Sequence, residues 1–343
     1  MVELSVVVPA YQEAGSIQRF LYKLDEALTT AGLEKSEVIV VDDGSSDGTA
    51  DLARAVPMSS RLRVESQENR GRFQARRTGI EAAQYNTIML IDCGLDLAPG
   101  AVQYLRGQRE RFPDRTLWNG HVDIDTDGNP YAAFWSVIVR IFWGDYLRHP
   151  RLVSFGVEDF DRFPKGTTLF VAPADSLRAA VGQFSVNEAT EKYASDDTRL
   201  IRLLLESHPR IWISPEFRCT YEARSTLRQF ITHSTFRGTT FIDGYWESPS
   251  AFGRTVRTLA WVAVAVLLAL ISGLLIAPLP VLLILLLLVA VMWVLGFAAA
   301  VTSGSPVGLA TRFAVLLPAF SVAFGLGAAR GVLIRLRNRR ATA

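Results

Sequence analysis

The chain has 343 residues, with 36 Lys and Arg against 34 Asp and Glu, so its net charge of +2 offers no global field for nucleic acid. Its two cysteines, Cys93 and Cys219, lack metal-type spacing and imply no disulfide framework, which suits a cytosolic front half. Apolar residues make up 49%, and no charge occurs between Thr258 and Thr311, which is room for two membrane crossings of about 20 residues each.

Leu4 to Val8 reads as a buried strand closed by Pro9, and no secretory leader is expected ahead of it. The segment 10–16 turns a corner, Ser16 stands as an N-cap, and Ile17, Phe20, Leu21, Leu24 and Leu28 form one apolar helical face. Val38 to Val41 is a strand buried on both faces. It breaks into the turn chemistry of Asp42-Asp43-Gly44-Ser45-Ser46-Asp47-Gly48, and a helix follows from Thr49. Val64 marks a third strand, a basic helix follows Asn69-Arg70-Gly71, and Thr87 to Ile91 is a fourth strand ending in Asp92-Cys93-Gly94-Leu95-Asp96. This alternation argues for an α/β fold with a parallel, doubly wound sheet.

Three of the four strands end in polar loops carrying Glu13, Asp42 and Asp43, and Asp92 with Asp96. Right-handed crossovers place these ends on one edge of the sheet, where open α/β folds bind ligands. Carboxylates there, beside Arg70, Arg72 and Arg76, can hold a metal–diphosphate and a nucleoside. Dinucleotide and Walker-type sites are disfavoured, because neither glycine-rich signature is present.

Four stretches together, 7–13 (Val-Val-Pro-Ala-Tyr-Gln-Glu), 41–49 (Val-Asp-Asp-Gly-Ser-Ser-Asp-Gly-Thr), 69–76 (Asn-x-Gly-x-x-x-Ala-Arg) and the acidic end at Asp92, resemble the family 2 glycosyltransferases of the GT-A fold in order and spacing. The resemblance implies a nucleotide-sugar donor, with Pro9, Tyr11 and Glu13 cradling the nucleoside and Asp43 contacting base or ribose. It places Asp92 against the diphosphate and its divalent cation, Mg2+ or Mn2+, with Arg72 in the donor site. The family's Asp-x-Asp is here Asp92-Cys93-Gly94, so the second carboxylate is missing and Asp96 lies two residues further on. A hard cation can still bind through one carboxylate and substrate phosphates.

Asp123 to Phe134 begins like a calcium loop but ends in Phe where Glu is required, so that reading fails. Asp127-Gly128-Asn129-Pro130 reads instead as a hairpin turn, and Phe134, Trp135, Phe142, Trp143 and Tyr146 as core. Residues 166–171 return as a strand. Asp196-Asp197 opens a helix, where the macrodipole favours acids. In the resembled family an acidic pair here supplies the base, so the resemblance gives Asp197 that role. Paired acids can hold their pKa values apart.

Residues 227–245 alternate apolar side chains with Arg228, His233 and Arg237, as suits a helix in the headgroup layer. Two spans, 256–277 and 279–300, and a third apolar segment, 313–333, follow before a basic tail. The expected organisation is a catalytic domain over 1–222, an interfacial segment over 223–254, a membrane region over 255–333 and a tail over 334–343. The expected protein is a multi-pass enzyme of the cytoplasmic membrane with its catalytic domain in the cytosol. It would transfer sugar from a nucleotide-sugar donor to a lipid-linked or envelope glycan acceptor by inverting displacement, and bind no nucleic acid. The alternative is a non-catalytic nucleotide-sugar-binding or scaffold subunit, motivated by Gly94. A transporter is disfavoured, because the apolar block lacks an ionisable residue to couple ions.

Overall fold

The computed structural model describes residues 3–183, 196–246 and 251–341. They divide into two compact units, 1–125 with 145–222, and 126–144 with 223–343.

The first unit is built on strands β1 (Ser5–Ala10), β2 (Glu37–Asp42), β3 (Arg61–Ser66), β4 (Thr87–Ile91), β5 (Leu95–Leu97), β6 (Trp118–Asp125), β7 (Val153–Phe155), β8 (Leu169–Pro173) and β9 (Ile211–Glu222). They form one sheet in the order β3-β2-β1-β4-β8-β6-β9-β5, with β7 also paired to β9. The amino-terminal half is parallel, β1 lying between β2 and β4. Beyond β4 the sheet is mixed. Strand β8 runs antiparallel to both β4 and β6, β6 pairs β9 in parallel, and β5 returns antiparallel to β9. The parallel sheet expected from the first hundred residues is present as β3-β2-β1-β4, and the later strands extend it into a mixed one through antiparallel pairings between distant segments, which leave no local trace.

Helices α1 (Ile17–Thr30), α2 (Thr49–Arg54), α3 (Arg72–Ala82) and α4 (Ala101–Arg111) connect the early strands. The strands alternate between two cores, which explains their unbroken apolar runs. Val6, Val8, Val38, Val40, Met89 and Ile91 face one cluster with α1 and α4. Val7, Ile39, Val41, Ile88 and Leu90 face the other with α3. Side chains alternate along a strand, so both faces of this sheet must be apolar to be covered by helices. At Gly79 any Cβ would run into the Val7 side chain. Only glycine there lets α3 lie this close to β1.

The hairpin expected at 127–130 is not formed. After β6 the chain turns through Thr126 to Gly128 and starts helix α5 (Pro130–Leu147). The Asn129 Oδ1 accepts the backbone N–H groups of Tyr131 (3.0 Å) and Ala132 (3.1 Å), and Pro130 occupies the first helical position. Asn at the cap and Pro at N1 are helix-start chemistry, and they override the turn reading. Trp143, with φ −126° and ψ 29°, breaks this helix near the boundary between the two units. The segment 126–144, inside the expected 1–222 domain, therefore packs with the carboxyl-terminal helices.

Helices α6 (Ala174–Gln183) and α7 (Asp196–Ser207) complete the first unit. The second contains α8 (Leu227–Tyr245), α9 (Ala251–Ile276), α10 (Pro278–Thr302) and α11 (Val307–Ala341). Its core is aromatic: Phe134 is fully buried and stacks on Phe313 at 4.9 Å, with Phe230 and Phe320 beside it. Thr226 caps α8 by accepting the Gln229 N–H at 3.3 Å. Two helices, Pro278–Thr302 and Val307–Ile334, are long and apolar enough to cross a membrane by length and composition. The expected span 256–277 falls in α9, several of whose side chains lie outside the described residues.

Helices α8 and α11 pack backbone to backbone through glycine. A Cβ at Gly238 would meet the Phe324 carbonyl, and one at Gly327 the Thr235 carbonyl, whereas Gly325 faces open space. Gly327→Leu should therefore destabilise the purified chain by about 1–3 kcal/mol through overpacking, and Gly325→Leu should not. Equal melting temperatures for the two variants in one detergent would contradict this seam.

Candidate active site

The carboxyl ends of β1, β2 and β4 lie on one edge of the sheet, so the loops after them meet. The β1 and β2 loops are sewn together. Gln12, at a positive φ of 57°, donates its N–H to Ser45 Oγ (2.9 Å) and its side-chain amide to Ser46 Oγ (3.0 Å). The Glu13 N–H reaches Thr49 Oγ1 (2.8 Å), and the Ala14 N–H reaches Asp47 Oδ2 (3.0 Å). The Thr49 hydroxyl, donating to Asp47, holds that carboxyl below its usual range. Of the three expected cradle residues, Pro9 is buried in β1 and Tyr11 is 50% exposed above it. The Glu13 carboxylate accepts the Ser16 hydroxyl. Ser16 occupies the cap position of α1 but makes no side-chain cap, because its hydroxyl is turned to Glu13.

Asp43 is 4% exposed and faces the loop that leads into α3. Its Oδ1 accepts from Gln67 Nε2 (2.8 Å) and the Arg70 N–H (2.9 Å), and its Oδ2 from the Gly71 N–H (2.8 Å). A carboxylate has about four lone-pair sites, so three bonds to the loop leave one for a ligand. Gln67, which sequence reasoning passed over, is itself held by the Thr78 hydroxyl at 2.7 Å.

Arg72 and Arg76 stand one turn apart on α3 and converge on Asp92 at the end of β4. Arg76 Nη2 lies 2.5 Å from Asp92 Oδ1, with an Arg76 side chain 1% exposed. Arg72 Nη1 lies 3.5 Å from Asp92 Oδ2, with its side chain 46% exposed. Arg76, which closes the 69–76 motif, is thus the buried anchor of this edge, beside Arg72, the arginine expected in the donor site. The i, i+4 spacing of two arginines opposite a strand-end acid is the signal that points to it.

These residues do not fit a protein-held divalent cation. Both Asp92 oxygens face guanidinium groups, and position 94 has no side chain. Burial, and then the charge of Glu13, push the Cys93 thiol pKa up, so it stays protonated. Asp96 is turned to Lys23, at 2.6 Å. Among the described residues no three His, Cys, Asp or Glu side chains are grouped to hold a metal. The Asp92 oxygens, where the resemblance implies a metal, face the Arg72 and Arg76 guanidinium groups.

Asp196 and Asp197 open α7 as expected, but their side chains lie outside the described residues.

Residues 5–152, which carry the sewn β1 and β2 loops and the Asp92 edge, match the model described as glycosyl transferase family 2. The amino-terminal part of the chain belongs to that family. Over 131 residues the chain is 31% identical to the glycosyltransferase GlyG of Streptococcus pneumoniae, covering 37% of this chain and 42% of that protein. Over 170 residues it is 37% identical to the validoxylamine A glucosyltransferase of Streptomyces hygroscopicus, covering 46% of this chain and 40% of that one. The chain thus spans well under half the length of these two relatives. Among solved structures, the mannosyltransferase PcManGT of Pyrobaculum calidifontis, in complex with GDP-Man and Mn2+, aligns with a TM-score of 0.55. That alignment has 18% identity and covers 93% of this chain and 86% of the other, a likeness of fold. The domain here thus has the GT-A fold, with the ends of β1, β2 and β4 on one edge of its mixed sheet.

Proposed function

We propose that the chain is a membrane-anchored glycosyltransferase that moves sugar from a nucleotide-sugar donor to a lipid-linked or envelope glycan acceptor. The observation that carries this is the convergence of the family 2 loops on one sheet edge, with Asp43, Arg72, Arg76 and Asp92 gathered there. The nucleoside lies over the sewn loops beside Tyr11, with the last lone pair of Asp43 accepting from base or ribose. The diphosphate points toward Arg72. Asp197, at the first turn of α7, removes the proton from the acceptor hydroxyl as that oxygen attacks the anomeric carbon. The bond to the diphosphate breaks on the opposite face, so the anomeric configuration inverts. Guanidinium charge stabilises the leaving diphosphate as it departs.

Two apolar helices support anchoring, and the Arg228, His233 and Arg237 side chains of α8 suit anionic headgroups of a cytoplasmic leaflet. An anchored enzyme of this kind would suit a lipid-borne acceptor.

The test is release of nucleoside diphosphate. The purified chain, given a panel of nucleotide sugars, should hydrolyse one of them slowly and transfer its sugar faster once membrane lipid is added. A chain that binds a nucleotide sugar yet releases none of the diphosphate under either condition is a binding subunit, and the enzymatic reading is lost.

A further inference from the structure

Strand β6 ends on the same edge of the sheet as β1, β2 and β4. It runs antiparallel to β8, and β8 runs antiparallel to β4, so β6 and β4 point the same way. Its pairing with β9 shifts register between Gly120 and His121, an irregularity of the kind that re-aims side chains near ligand sites. Just beyond the shift lies a chain of titratable groups that the chemistry above does not use. Tyr146 and His121 are 2% and 5% exposed, with their rings 5.6 Å apart. The Tyr146 hydroxyl lies 3.2 Å from His121 Nδ1, and His121 Nε2 lies 3.2 Å from Asp123 Oδ1. Burial, and then the charge of Asp123, push the Tyr146 pKa up, so the phenol keeps its proton and can donate it to Nδ1. The imidazole proton then sits on Nε2 and is donated to the carboxylate. The Asp123 side chain at the end of this relay is 48% exposed. After burial, the charges of Asp92 and Asp123 are the largest influences raising the Cys219 thiol pKa, so both carboxylates act on one buried atom.

Resting on the glycosyltransferase reading above, we infer that Asp123 accepts hydroxyl groups of a sugar at this edge, with His121 and Tyr146 as positioning residues that lock its carboxylate. Sugar hydroxyls are donors, and a bond from them to an ionised acceptor is stronger than one to a neutral group. A carboxylate whose direction is already fixed from beneath loses little freedom when the sugar arrives. Donor and acceptor sugars present the same hydroxyl chemistry, and the measurements separate them.

The full chain in detergent is titrated by calorimetry with UDP-linked and GDP-linked sugars, and with UDP and GDP alone. If Asp123 holds the donor sugar, Asp123→Asn should weaken the nucleotide sugar by about 10-fold and leave its nucleoside diphosphate unchanged. If it holds the acceptor sugar, both affinities and the slow hydrolysis stay as in the parent, and transfer to added membrane lipid falls by about 10-fold. Tyr146→Phe, which deletes only the hydroxyl, should reproduce part of whichever loss is seen, again with the nucleoside diphosphate bound at parental strength. An Asp123→Asn chain with parental affinity, hydrolysis and transfer overturns the inference and leaves the glycosyltransferase reading standing. So does equal weakening of nucleotide sugar and nucleoside diphosphate, which a merely structural role would give. A parent chain that binds none of the nucleotide sugars removes both readings.

Discussion

Asp197→Asn should lower turnover by about 10²–10⁴-fold while leaving donor affinity close to that of the parent. A carboxamide nearly matches the carboxylate in shape but cannot accept the proton of the acceptor hydroxyl, so the loss falls on the chemical step. Donor affinity is spared because the residues gathered around the donor belong to the β1, β2 and β4 loops and to α3, not to α7. Asp196 and Asp197 are successive residues at the start of α7, and successive positions on a helix are about 100° apart around its axis. One of the two can face the acceptor, and Asp196→Asn should cost only the helix-terminus term of about 0.3–1 kcal/mol. Single-turnover kinetics with a saturating donor separates the cases. A dead Asp196 variant beside an active Asp197 variant would exchange their roles, and two fully active variants would remove α7 from the chemistry.

How much of this was legible beforehand depended on distance along the chain. Strands buried on both faces announce themselves, and Thr87–Ile91 and the core of Glu37–Asp42 were readable from their apolar runs alone. The strand-end acids followed, because parallel crossovers fix which ends share an edge. What could not be read was pairing between remote segments. Strands β5 and β9 meet across more than a hundred residues, with Leu97 opposite Cys219. The Asn129-Pro130 pair was visible but ambiguous, since the same two residues start turns and cap helices. The part Asp43 plays in holding its loop was not legible for a similar reason. Its loop partners, Gln67, Arg70 and Gly71, lie 24 to 28 residues away, and nothing near Asp43 indicates them.

Those partners set the second large effect. Asp43→Ala should weaken donor binding and destabilise the first unit together. The variant leaves the Arg70 and Gly71 N–H groups and the Gln67 amide without their shared acceptor in a site that is 4% exposed. Stranding a buried donor costs about 1–3 kcal/mol, and water entering the gap recovers part of it, so a total near 3 kcal/mol is expected. For a unit of this size that corresponds to a fall in melting temperature of about 6–12 °C. The same loop opens α3, so its loosening also misplaces Arg72 and Arg76 and carries the damage to the diphosphate. Gln67→Ala should reproduce part of both losses, because it removes one of the three donors and breaks the link to Thr78. A direct contact with base or ribose alone predicts otherwise. Donor affinity would then fall by the worth of one bond to a charged group, about 1.5–3 kcal/mol, with no change in melting temperature and no effect of Gln67→Ala. Thermal unfolding and donor titration on the same two variants decide between a carboxylate that holds the loop and one that only touches the ligand.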